Sequence, residues 1–312
     1  MPEGATRSQR YPSRSDGGRP QVDAGSSNAR IFTLGSFRVV PQKVPRERNY
    51  GDGGPTQILL KYLLSCPGYR SSAEKLIDEL WPGALVDRGR EYLRRQVMHL
   101  RRSLEPGRPQ YAPSSYLVTE GQGIALRVAN DVEDGLWVDA VCFENLATDA
   151  LDALHQGQRA ARVGYQALGL YRGHFLNTDL YLDWIVAARR RYQRLWTALV
   201  SALAELELED AHFGKAILLL AGLVDESPDD EAAVKRLMIA YAASGRRAEA
   251  LRTYRRLAVN LSATLDIEPG ADLKALEQAI RAGQPMTDWM RQGTSHVVQV
   301  PPAQIVWPTD NQ

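Results

Sequence analysis

At 312 residues, 44% of them hydrophobic, the chain is long enough and apolar enough to bury two folded cores, which excludes a disordered polyelectrolyte. Its formal net charge is only +1, so any grip on a polyanion must come from basic residues gathered in one place. The two cysteines, Cys66 and Cys142, lie far apart among apolar residues and suit small core positions in a reducing compartment rather than a disulfide frame or metal site. No apolar run approaches the roughly 18 residues that span a bilayer, and the polar N-terminus lacks a signal peptide's apolar core, so a cytoplasmic protein without a membrane partner is expected.

Residues 1–29 are rich in Gly, Ser, Pro and Arg and poor in large apolar groups, which predicts a disordered, solvated tail. The runs IFTL and FRVV, from Ile31 and Phe37, are separated by Gly35-Ser36, a two-residue hairpin signal. Asn49 to Pro55 reads as a loop, and with no Gly-Lys-Ser/Thr after it a nucleotide site is not expected. A helix then starts at Thr56, buries Ile58, Leu59, Tyr62, Leu63 and Cys66, and stops at Pro67-Gly68. Ser71 with Glu74 forms a capping box for a second helix, which turns Leu76, Ile77, Leu80 and Trp81 inward before Pro82.

The third helix, Asp87 to Leu104, organises the rest. Val86, Leu93, Val97, Leu100 and Leu104 recur at spacings of three, four or seven and form one apolar stripe. Arg88, Arg95 and Arg102 are seven apart on the opposite face, Tyr92 and His99 lie beside them, and Arg94 and Arg101 flank the row. Between Arg88 and Arg102 six arginines face a single acid, Glu91. A helix pinned by one face and offering guanidinium groups on the other is shaped for a DNA major groove, where Arg pairs with guanine edges or grips phosphates. Such a row alone is more often a solvated face; its place as the third helix of a winged helix is what makes it a DNA reader. YLVTE and IALRV flank Gly121-Gln122-Gly123, a hairpin whose tip, Gly121 and Gln122, is positioned to approach a phosphate backbone.

From Trp137 to about Ala282 the chain reads as helix, broken at Gly157, Gly173, Pro228 and Gly245. Leu203, Ala216, Leu220 and Leu223 return as Leu237, Ala250, Tyr254 and Leu257 at a constant offset of 34 residues, the period of tetratricopeptide helix pairs. A last helix with Leu273, Leu276 and Ile280 caps the stack. Arg189, Arg190, Arg191 and Arg194 form a second basic run on an amphipathic helix, where solvation or intramolecular pairing is the expected role. Residues 284–312 are polar and broken by prolines, and a mostly mobile tail is expected although VVQVPPAQIVW offers apolar residues for an edge strand. The expected fold is therefore an α+β winged helix over residues 30–130, then an all-α, tetratricopeptide-like helical-repeat domain over residues 131–283.

LIDELWP, LRRQVMHLRRSL and YLVTEGQG resemble the OmpR-like winged helix of the SARP (antibiotic regulatory protein) transcriptional activators. The family usually has an aromatic after the wing glycine, where this chain has Ile124. VDAVCFENL, ALGLYRGHFL, DWIVAARRRYQRL, LMIAYAASGRRAEALRTYRRL and LDIEPG are similar to the bacterial transcriptional activator domain that follows it in that family. The resemblance covers residues 31–282, and with no ATPase region after the repeats it implies a short, stand-alone member. It further implies a side-by-side homodimer on promoter direct repeats of double-stranded DNA, contact with RNA polymerase holoenzyme through the helical domain, and a nucleoid-associated protein.

Enzymatic readings find little support. His99, His155, His174, His212 and His296 are scattered without a metal-binding spacing, no Gly-x-Ser-x-Gly elbow occurs, and Asp229-Asp230 suits a helix start. No cofactor is expected. The competing reading is an interaction module in which the helical repeats hold a peptide or an unidentified effector and DNA binding is secondary.

Overall fold

The computed structural model describes residues 28–42, 54–109, 111–129, 135–179 and 182–293. The first two strands, β1 (Arg30–Phe32) and β2 (Arg38–Val40), pair antiparallel with Ile31 opposite Val39. Their connection is not the expected two-residue turn. Phe32 pairs with Arg38, which leaves the stretch from Thr33 to Phe37 outside the ladder, because its backbone groups are engaged elsewhere. Leu34 bridges to Phe175, and the Thr33 and Leu34 N–H groups donate to the Asp139 carboxylate.

Helix α1 (Pro55–Ser65) starts with proline at its first position, where the missing N–H costs nothing. It ends at Cys66, before a single 3-10 turn over Pro67–Tyr69 in which Gly68 takes φ of 61°. The next strand, β3 (Arg70–Ser72), is three residues long and leaves no alternation in the sequence. Ser71 lies within it, opposite Ile124, and Ser72 is the residue that caps α2 (Ala73–Leu80), its hydroxyl accepting from Lys75 N–H at 3.2 Å. The N-cap therefore sits one residue later than the sequence signature, and with Lys75 at the third helical position the reciprocal half of a capping box is missing. Then come α3 (Val86–Leu104) and the hairpin of β4 (Leu117–Glu120) and β5 (Gly123–Leu126), whose turn is Gly121-Gln122. The sheet order β3-β5-β4 makes the hairpin an extension of a strand that leads straight into α2. Three helices with this wing form the expected winged helix.

The helical half begins on the first sheet. Strand β6 (Trp137–Val138) pairs parallel with β1 and leads directly into α4 (Asp139–His155). Helices α5 (Ala161–Leu170), α6 (Asp183–Glu209), α7 (Phe213–Glu226), α8 (Glu231–Ala243), α9 (Arg247–Leu265) and α10 (Ala271–Ala282) follow, each packed against the one before it. The 34-residue repeat marks equivalent core positions: Leu203, Ala216, Leu220 and Leu223 are buried, as are Leu237, Ala250 and Leu257, with Tyr254 half-buried.

The buried cluster of the winged helix does not stop at its own helices. Ile31, Leu59, Leu63, Leu100 and Leu117 belong to one continuous apolar core with Val138, Phe143, Phe175, Ile185 and Tyr192. Two side-chain clasps cross the same boundary, beside backbone bonds such as that from Leu176 N–H to the Thr33 carbonyl. Asp139, only 1% exposed, accepts from Thr33 N–H at 2.7 Å, Thr33 Oγ1 at 2.8 Å, Leu34 N–H at 3.1 Å and Ala140 N–H at 2.8 Å. Lys61 on α1 pairs with Asp179 at 2.7 Å. The second basic run is divided: Arg189 donates to the carbonyls of Phe175 and Leu176, Arg191 pairs with Glu144, and Arg190 and Arg194 face solvent.

Past α10 the chain departs from the expected mobile tail. After Gly283, with φ of 73°, it folds back as a short helix, α11 (Thr287–Gly293), against α6 and α8. The earlier tail at residues 1–27, the stretch Asn49 to Gly53 and the VVQVPPAQIVW segment lie outside the described residues.

Candidate nucleic-acid interface

Helix α3 is fixed by four side chains. Leu93, Val97, Leu100 and Leu104 are buried against α1, α2 and the base of the wing. Val86 does not join them and is 64% exposed. The inward position in the first turn belongs to Gly89, which is buried directly under Ile77 of α2. Glycine there is a matter of space, since a Cβ would overlap Ile77 Cγ2. The C-terminal end is held by Glu105, which is 4% exposed and accepts from Ser114 Oγ and from Ser115 N–H at 2.8 Å. Glu105 thereby sets the path into the wing, a role that no sequence spacing marks.

With one face so anchored, the opposite face is solvent-exposed. Arg88, Tyr92, Arg94, Arg95, His99 and Arg102 are all exposed, and so is Arg90. Arg88, Arg90, Arg94 and Arg102 have no acidic partner among the described residues. Arg95 reaches Glu91 one turn earlier at 2.8 Å and lies 6.0 Å from the Tyr92 ring centroid. Both partners of that ion pair are largely exposed, so it is worth at most about 0.5 kcal/mol and a phosphate or base edge displaces it readily. Tyr92 also lies 6.3 Å from Trp81, which props the ring from the α2 side.

Arg101 stands apart from the row. Its Nε donates to the Leu117 carbonyl at 3.0 Å and a terminal nitrogen donates to Thr119 Oγ1 at 3.2 Å, both on β4. Burial and the neighbouring Arg108 lower its pKa from the ordinary arginine value. The guanidinium therefore fastens the wing to the helix. The wing tip, Gly121 and Gln122, is exposed, with Gly121 at φ of 56° in the left-handed region where glycine is unstrained. Helix row and wing tip are thus held in one frame through Arg101, Glu105 and the hydrogen bond from Gln42 N–H to the Leu104 carbonyl.

A family model described as the bacterial transcriptional activator domain matches residues 138–281. Regulatory protein AfsR of Streptomyces griseus is 28% identical over 266 residues, 84% of this chain and 25% of AfsR. Regulatory protein DnrI of Streptomyces peucetius is 28% identical over 220 residues, 68% of this chain and 78% of DnrI. The chain is thus similar to this activator domain over residues 138–281 and to regulatory proteins over most of its length. The chain spans about a quarter of the length of the AfsR relatives it matches. The solved structure of Mycobacterium tuberculosis EmbR in complex with a low affinity phosphopeptide shares its fold, with a TM-score of 0.64 and 24% identity over 86% of this chain and 69% of that one. AfsR and DnrI are named as regulatory proteins and EmbR as a transcriptional regulatory protein. Among the described residues no helix is long and apolar enough to cross a membrane.

Proposed function

We propose that this protein is a sequence-specific DNA-binding activator of transcription that lays α3 in a major groove and the wing along the neighbouring backbone. The observation that carries the proposal is the exposed row of Arg88, Arg95 and Arg102 on a helix whose other face is locked by Leu93, Val97, Leu100 and Leu104. Arg94, Tyr92 and His99 extend the contact sideways, and Gly121 and Gln122 bring backbone close to a phosphate. Arg101 acts in this scheme by holding the wing in register rather than by touching DNA. The family's habits extend the proposal to promoter direct repeats, a homodimer on DNA, contact with RNA polymerase through the helical half, and residence in the cytoplasm at the nucleoid.

The test is to select DNA with the full-length protein and then measure affinity for the selected site by fluorescence anisotropy. Each phosphate engaged should steepen the fall of log K with log salt by about 0.9. Arg95→Ala should lose about 1–3 kcal/mol and relax preference at one base pair if it reads a base edge. An affinity independent of salt, or an Arg95→Ala/Arg102→Ala variant that binds like the parent, overturns the proposal.

A further inference from the structure

The segment after α10 does something a solvated tail would not do. Gly283 ends α10 with its N–H donated to the Ile280 carbonyl, and Gln284 N–H donates to the Ala279 carbonyl, which reverses the chain toward the repeats. Met286 is then buried, and Trp289 and Met290 pack against the core of α6 to α10. These three residues stand at i, i+3 and i+4, one face of a helix, while Thr287 and Asp288 remain exposed. The face lies in the groove between α6 and α8, the leading helices of two successive repeat pairs.

The groove has a definite chemistry. Leu208 and Ile239 supply its apolar wall, and Glu205 pairs with Arg236 across it at 2.7 Å. Lys235 stands 5.8 Å from the Trp289 ring centroid, within cation–π range, and pairs with Asp272 of α10 at 3.1 Å. The fit is loose: a space of about 40 Å³ remains between this wall and the side chains of Trp289 and Met290. A seven-residue helix cannot hold itself together in water, so its order comes from the groove.

We infer that the groove between α6 and α8 is a docking surface for a short amphipathic helix of a partner protein, and that α11 is its resident occupant, which the partner displaces. The partner's helix carries bulky apolar side chains, an aromatic among them, at the i, i+3, i+4 spacing of Met286, Trp289 and Met290. Tethered by two residues, α11 competes at an effective concentration on the order of millimolar, so the groove answers only to a ligand that fits better or is locally concentrated.

The probe is a labelled synthetic peptide of residues 284–293, titrated by fluorescence anisotropy into the full-length protein and into the full-length Trp289→Ala/Met290→Ala variant. The variant should bind the peptide at least tenfold more tightly than the parent, and a peptide with alanine in place of its Trp and second Met should bind neither. Equal binding to parent and variant, equal binding of the alanine peptide, or no binding to a variant that keeps the parent's circular dichroism overturns the inference. Hydrogen exchange of the parent gives a readout that needs no variant: excess unlabelled peptide should speed exchange of the α11 amides at least tenfold while leaving those of α8 unchanged. Unaltered α11 exchange overturns it equally.

Discussion

Replacing Gly89 by alanine sets two effects of known size against each other. In a helix interior the change by itself stabilises by about 1 kcal/mol, because alanine loses less backbone freedom than glycine. Here the new methyl would overlap Ile77 Cγ2 and come within 3.5 Å of both Ile77 Cβ and Cδ1. Restoring ordinary contact requires α2 and α3 to part by about 1 Å at this point. Ile77 cannot swing aside, since a β-branched side chain on a helix has essentially one χ1 well, and it is itself buried. Overpacking of this kind costs about 1–3 kcal/mol, so the net effect of Gly89→Ala should be a loss of about 1 kcal/mol. Equilibrium urea unfolding followed by circular dichroism should show a lower midpoint at unchanged slope. In an Ile77→Leu background, which removes the offending branch, the same substitution should cost less by at least about 0.5 kcal/mol. A higher midpoint for Gly89→Ala in the parent background would refute the reasoning. The neighbouring Arg88 should move with the helix end, so DNA affinity should fall further than stability alone explains.

Other outcomes follow from the clasps described above. Arg101→Lys should not preserve the wing, because a single ammonium cannot reach the Leu117 carbonyl and Thr119 Oγ1 in the fork geometry; DNA affinity should drop as with Arg101→Ala while the remaining row is intact. Asp139→Ala leaves three buried backbone donors and the Thr33 hydroxyl without their acceptor and should destabilise by about 3 kcal/mol, read by thermal melting. Glu207 is buried where α6 meets α7; burial pushes its carboxyl up, but hydrogen bonds from Tyr165, His212 and Lys215 together pull it below its ordinary value. The stability it contributes is complete above its unfolded pKa of about 4.3 and is lost as pH falls through the depressed folded value, so Glu207→Gln should flatten the acid limb of the stability profile. An acid limb as steep as the parent's in that variant contradicts this assignment.

Much of this fold is written in periodicities that burial enforces. Leu93, Val97, Leu100 and Leu104 declare the inner face of α3, and the 34-residue offset declares the repeat, because both patterns repeat often enough to exceed chance. What stays hidden depends on single residues or on partners distant in sequence. Val86 extends the apolar period of α3 yet lies outside the core, because the inward position of that turn is held by a glycine, which hydropathy does not count as a contact. The three-residue strand β3 is too short to show alternation, so the sequence points to Ser71 for a capping role that Ser72 performs. Arg101 looks like its five neighbours in sequence and differs from them only in facing β4. The loop around Gly35 departs from a tight hairpin because Asp139, more than 100 residues later, claims its donors. The docking of α11 is likewise obscure in the sequence, since three apolar residues among polar groups after a single proline carry little periodic signal.

The parallel pairing of β6 with β1 bears on how this protein can be dissected or recombined. A fragment severed near residue 130, where linear reasoning places a seam, would strip β1 of a neighbouring strand, leave Thr33 and Leu34 with bare donors, and open Ile31, Leu59 and Leu63 to water along one flank. Grafting the arginine-bearing head onto a foreign effector half therefore requires carrying along the chain through α6, whose Ile185 and Tyr192 close that flank. In this architecture the winged helix and the first helices behind it are a single heritable part, and recombination that preserves both must cut farther downstream, among the repeats.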